Sequence, residues 1–203
     1  MSALPPDGSS SVSSSGFTDG LGTRLLVFDR ETGEMLEQLR LRPELSAFER
    51  ALNDALARAT AVEDERFARP RRIERDAEGG LSVVSEFVPG RRLSEALDSA
   101  ADAGIAAGLD AALGLLLELL PAIASFHDEA GMPHGAVGAG RLLFTPAGQL
   151  VLLDGIYAAS LERLQLAPAR LWRDLGIAAP NADGPVHFDI AADLAQAALA
   201  AAA

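Results

Sequence analysis

The residues that decide the fold read Phe126-His127-Asp128-Glu129-Ala130-Gly131-Met132-Pro133-His134-Gly135-Ala136, then Leu142-Leu143-Phe144, then Val151-Leu152-Leu153-Asp154. Leu109 to Glu129 is apolar nearly all round, which predicts a core helix. The runs Arg141 to Phe144 and Gln149 to Leu153 flank Thr145-Pro146-Ala147-Gly148, whose turn chemistry predicts two short strands. Helix, loop, hairpin and loop therefore follow one another.

Upstream, the run Arg24 to Phe28, turn residues Asp29 to Glu34 and the alternating stretch Glu34 to Leu41 predict a β-hairpin. Leu45, Phe48, Leu52, Leu56 and Ala59 recur at three- and four-residue steps. They predict one amphipathic helix over about Ser46 to Ala61, with Ser46 as N-cap and Glu49 three residues later. Arg69-Pro70-Arg71-Arg72 breaks the pattern, Ile73 to Arg75 reads as a strand, and Leu81 to Val88 is rich in β-branched residues. Pro89-Gly90 marks a hinge, and Leu93 to Ala103 is helical in composition. Downstream of Asp154, Leu161 to Leu166, Pro168 to Leu175 and the alanine-rich stretch from Phe188 are helix-prone. No internal repeat occurs.

The 203 residues, 49% hydrophobic, suit one domain or two small lobes with a real core. The 29 acidic and 17 basic residues give a net charge of −12, which excludes nucleic acid and anionic lipid as expected partners. With no cysteine, thiolate chemistry is excluded and a reducing cytoplasm is favoured. Met1 to Ser15 lacks the basic and apolar regions of a signal sequence, and Glu118 and Pro121 interrupt the longest apolar stretch, so neither predicts a membrane anchor. All 17 basic residues are arginine, so any mechanism requiring lysine is closed to this chain.

From about Gly22 to Ala203 the order of elements resembles the eukaryotic-type Ser/Thr protein kinases of bacteria. Gly22-Thr23, Asp29 and Thr32-Gly33-Glu34 look like the end of a glycine-rich loop and the hairpin after it. Val83 to Leu93 is similar to the hinge strand, and Phe126 to Ala136 with Leu142 to Phe144 is similar to the catalytic-loop region. Asp154 resembles the metal-binding Asp that opens the Asp-Phe-Gly motif, 154 − 134 = 20 residues after His134. Asp189, at the start of the last helix, matches the aspartate that anchors the catalytic loop from below. The resemblance implies an α+β, protein-kinase-like two-lobe fold. Residues 1–20 would form a Ser/Pro/Gly tail, 21–88 a β-rich N-lobe with one helix, and 89–203 a mostly helical C-lobe, truncated relative to the family.

Phosphoryl transfer in kinases needs a strand lysine, a catalytic Asp, an Asn and a second Asp for magnesium, and glycines over the phosphates. The lysine position falls on Leu39, or on Arg40 if the register slips by one, and a guanidinium fork substitutes poorly for a point ammonium. The His-Arg-Asp triplet reads His134-Gly135-Ala136, which removes the base. The metal-binding Asn is Arg141. Phe17 and Asp19 stand where the first two glycines belong, and the strand before them falls in the serine-rich tail.

Positioning and electrostatics supply nearly all of this catalysis, so losing four elements at once predicts a pseudokinase, a binding or regulatory module. The expected partner is another protein, such as an active kinase, with no cofactor. The enzyme alternative is an atypical or fragmentary Ser/Thr kinase that binds Mg-ATP through Glu86, Val88 and Asp154, with Asp154 on the metal. A third reading is a chain that cannot fold stably because its apolar surface is exposed. His134 reads as structural, His127 and His187 as surface or capping residues, Asp189 as a helix cap, and Arg69, Arg71, Arg72 and Arg75 as a solvated surface. No Gly-x-Ser-x-Gly elbow and no metal-spaced histidine cluster supports another catalytic class.

Overall fold

The apolar runs of the first third pair into one antiparallel sheet. The computed structural model describes residues 12–203 except 77, 107, 181 and 182. Strands β1 (Val12–Thr18), β2 (Gly22–Phe28), β3 (Met35–Leu41), β4 (Pro70–Arg75) and β5 (Leu81–Glu86) lie in the order β1-β2-β3-β5-β4. The predicted hairpin is β2–β3, registered Arg24 to Leu39 and Val27 to Leu36. Two expectations change here. The serine-rich segment supplies strand β1 from Val12 on, where a tail over 1–20 was expected; the rest of that tail, 1–11, lies outside the described residues. Strand β4 starts at Pro70, since an edge strand tolerates a residue that cannot donate to the ladder.

The predicted helix over 46–61 is two pieces, α1 (Pro43–Ser46) and α2 (Glu49–Ala59). Ser46 is not the N-cap: it closes α1, its hydroxyl donates back to the Arg42 carbonyl at 3.3 Å, and Phe48 takes the cap position of α2. Helix α2 buries Leu52, Ala55 and Ala59 under the sheet.

After the hinge come a short strand β6 (Arg91–Arg92), α3 (Leu93–Asp102), α4 (Leu109–Ala130), a 3-10 turn (Ala139–Arg141), and strands β7 (Leu142–Phe144) and β8 (Leu150–Leu152). Helices α5 (Ala158–Arg163), α6 (Pro168–Leu175) and α7 (Ile190–Ala201) complete this mostly helical lobe. A β-rich lobe followed by a helical one is the α+β, two-lobe arrangement expected.

The lobes share a core. One apolar cluster joins Leu21, Leu39, Leu52 and Leu81 of the first lobe to Tyr157, Leu161, Leu171 and Leu175 of the second. A second packs Phe67, Phe126, Ile123, Leu142, Leu152 and Ala197. The link 62–68 is fixed by Asp64, which accepts from the Arg66 backbone and side chain and from Ser125 of α4. These hydrogen bonds, the Arg66 guanidinium first, hold the Asp64 carboxyl down at about 2.

Helix α4 departs from the expectation of a fully buried helix. Leu119, Ala122, Ile123, Phe126 and Ala130 are in the core, but Leu109 and Leu117 are 74% and 77% exposed. By length and composition α4 could cross a membrane, at a mean hydropathy of 1.7; its second half is instead committed to core packing. Periodicity missed this because leucines on α4 lie on both the packed and the bare face. We expect Leu52→Ala to cost about 2–5 kcal/mol and Leu117→Ala within about 0.5 kcal/mol of nothing, measured by chemical unfolding.

Candidate functional site

Between the lobes six charged side chains meet in a buried network. Asp19 lies in the β1–β2 turn, Arg24 on β2, Glu37 on β3, Arg92 at the head of α3, Arg141 in the 3-10 turn, and Asp154 just past β8. Arg24 is 3% exposed and Asp154's side chain 7%. Three carboxylates and three guanidiniums cancel formally, as buried ions must to avoid large desolvation costs.

Each N-lobe member has a C-lobe partner. Arg24 holds Asp154 through both terminal nitrogens, one bond being 3.3 Å to Oδ1. Arg92 Nη2 donates to Glu37 Oε2 at 3.0 Å, and Arg141 Nη2 lies 3.5 Å from Asp19 Oδ2. Within the first lobe, Arg24 also donates to Glu37 Oε1 at 2.7 Å and to Asp19 Oδ2 at 3.0 Å. In the second, Arg141 Nε sits 3.4 Å from Asp154 Oδ2, and Arg92 Nη1 donates to the Gly140 carbonyl at 2.6 Å. The Arg92 guanidinium also covers the Phe17 ring, 5.2 Å from its centroid.

The turn that carries Asp19 is self-satisfied. Asp19 Oδ1 accepts from the backbone N–H groups of Leu21, at 2.7 Å, and Gly22, at 3.2 Å. Leu21 is fully buried in the shared core, and a Cβ at Gly20 would overlap the Leu175 carbonyl of α6.

Burial works against every charge here, and partners decide the outcome. It pushes the Asp154 carboxyl up, but the guanidiniums of Arg24 and Arg141 pull it lower still, below its ordinary value. Arg24 loses to burial and regains more from Asp154, Asp19 and Glu37, so its pKa rises well above normal. Arg141 is lowered by burial despite Asp154 and Asp19. Asp154 has φ 71, a left-handed conformation that disfavours a non-glycine residue.

The other predicted residues fall as follows. Leu39 faces inward but is buried beside Leu52 and Ala55, and Arg40 faces outward near Asp76. Ala136 is fully buried. Glu86 and Val88 line, with Asp154, Ser85 and Leu143, a residual cavity of about 10 Å³. The Glu86 N–H already donates to the Arg69 carbonyl at 2.9 Å. His134 is buried edge-on to Phe126, 5.4 Å between rings, and burial keeps its imidazole below the usual pKa.

Asp189 caps α7, accepting from Ala192 N at 2.8 Å, and does not reach the loop at His134. Asp193, one turn on, accepts from the backbone N–H of His134 and Gly135, both at 2.7 Å, and bonds His127, which is therefore no surface residue. Gln196 completes the tether to Val137 N and the Gly135 carbonyl. Helix periodicity places 189, 193 and 196 on one face of α7, a signal that could have offered Asp193.

No protein-family model and no curated protein matches the sequence. Among solved structures, a single-substitution variant of the PknI kinase domain of Mycobacterium tuberculosis superposes with a TM-score of 0.67 at 18% identity. That match covers 91% of this chain and 69% of that one. A second structure of the same domain gives 0.65 at 17% identity, covering 98% and 76%. This is a protein-kinase-like fold. Within it, the described sheet, hinge and helical lobe take the order of the kinase scaffold, and the six-residue network sits at their junction.

Removing one member of a buried ion set leaves its partners uncompensated, so Asp154→Ala should cost about 3 kcal/mol in urea unfolding. The folded pKa of Asp154 is depressed, so its contribution is present above the ordinary carboxylate value near 4 and lost as pH falls toward the folded value. Stability measured from pH 6 downward should therefore fall below about 4, and less steeply in Asp154→Asn.

Proposed function

We propose that this chain is catalytically silent and serves as a binding or regulatory module, a pseudokinase on a kinase-like scaffold. The observation that carries the reading is the capture of both Asp154 oxygens by Arg24, with Arg141 beside them. A metal-binding carboxylate must offer its oxygens to the cation, and here guanidiniums hold them.

The remaining parts agree. Ala136 offers no carboxylate to a substrate hydroxyl, Leu39 cannot reach a phosphate, and the chain has no lysine. The turn amides that a phosphate would take are bonded to Asp19. A cavity of about 10 Å³ beside Glu86 and Val88 is far below the roughly 300 Å³ or more that ligand sites offer. This arrangement offers a magnesium nucleotide neither free oxygens at Asp154 nor room beside Glu86 and Val88. The partner is another protein, an active kinase being the natural class, and the compartment is cytoplasmic, in keeping with the absence of cysteine.

The test is thermal unfolding of the purified chain with ATP, with and without magnesium, beside a phosphotransfer assay on a generic protein substrate. The expected shift is under about 1 °C, with no phosphate transferred. Binding at a hundredfold excess over Kd would add about 2.7 kcal/mol and raise Tm by several degrees. A magnesium-dependent shift lost in Asp154→Ala would overturn the reading in favour of nucleotide binding.

A further inference from the structure

We infer that the interlobe cleft is filled by the chain's own groups, so that the lobes are locked shut without nucleotide and their relative setting is fixed by the six-residue ion network. The inference rests on the reading of a nucleotide-free site and goes beyond it, because a silent site could equally be an open, mobile one.

The substitution can be followed group by group. Nucleotide closure of a kinase works by anionic phosphates under the glycine loop and cations against the carboxylates below. In this chain the anion is Asp19, whose Oδ1 takes the Leu21 and Gly22 amides, and whose Oδ2 faces Arg24 and Arg141. The cationic position at Asp154 is held by Arg24, reaching down from β2, and by Arg141 from below. Arg92 and Glu37 repeat the arrangement on the hinge side.

Two kinds of force divide the work. Ions parted by opening would regain hydration, so ion pairs alone hold a cleft poorly. Apolar surface would be lost to water on opening, because Leu21 and Leu39 of the first lobe share one buried cluster with Tyr157, Leu171 and Leu175 of the second. Arg42 adds a bond from Nη1 to the Asp174 carbonyl at 2.6 Å. Apolar contact therefore keeps the cleft shut. The directional guanidinium–carboxylate pairs select one register among the many that grease alone would allow.

The chain has no cysteine, so Glu31→Cys on the exposed β2–β3 turn and Asp128→Cys at an exposed position of α4 would carry the only spin labels. Dipolar EPR then reads the interlobe distance directly. The expected result is one narrow distribution without nucleotide, unchanged by millimolar Mg-ATP, that broadens in Arg24→Gln and in Glu37→Gln. A broad distribution in the otherwise unsubstituted chain, or any change on adding Mg-ATP, overturns the lock. A narrow distribution in the folded variants overturns the role of the ions. Should the variants fail to fold, the labelled chain with and without Mg-ATP still decides. Phosphate transfer with a narrow, nucleotide-independent distance would sink the silent-site reading and leave the closure standing.

Discussion

Arg24 meeting Asp154 across the lobes is the contact around which this molecule is arranged. An arginine placed on an inner sheet position would be an intolerable buried charge if unpaired, and its surroundings are built to answer it. Asp19 turns back from the preceding loop, Glu37 faces it from the next strand, and Asp154 adopts a left-handed conformation below it. Arg141 and Arg92 then restore neutrality. The same six positions lie on both lobes, so under the proposed lock the electrostatic solution and the architectural one coincide.

Beneath that network the framework of the fold is kept. Helix α7 tethers the loop after α4 through Asp193 and Gln196, each bonding buried backbone groups that would otherwise lack partners. This loop, which carries Gly135 and Ala136, is held in place by those buried hydrogen bonds. Leu109, Leu113 and Leu117 of α4, together with Trp172 and Leu199, are exposed.

Much of this could be read from the residues, for reasons that differ by element. The β2–β3 hairpin and helix α6 came from strong local patterns and turn residues, which need no tertiary context. The break between α1 and α2 did not, because Phe48 leaves the helical region at φ −106, ψ 32 while the apolar spacing runs on through it. The serine-rich β1 lacks the apolar alternation that marks a strand and owes its place to pairing with β2. At the site, Leu39, Ala136 and Arg141 could be singled out from the sequence by their place in the resemblance, and the structure shows where they lie. The roles of Arg24 and Glu37 were not legible, since they look like ordinary strand charges until the fold brings Asp154, 130 residues along the chain, to Arg24. Anchoring by Asp193 in place of Asp189 is one helical turn's difference, beyond the resolution of pattern alone.

The most direct test of the account is a double-mutant cycle on Arg24 and Asp154, using Arg24→Leu, Asp154→Leu and the pair together, with unfolding free energies from urea titration. The account predicts strong coupling: the double variant is more stable than the summed losses imply by more than about 1.5 kcal/mol, within the range that contacting residues show. Additivity to within about 0.5 kcal/mol, as for independent sites, would contradict it and leave the cleft without the interaction that sets its geometry.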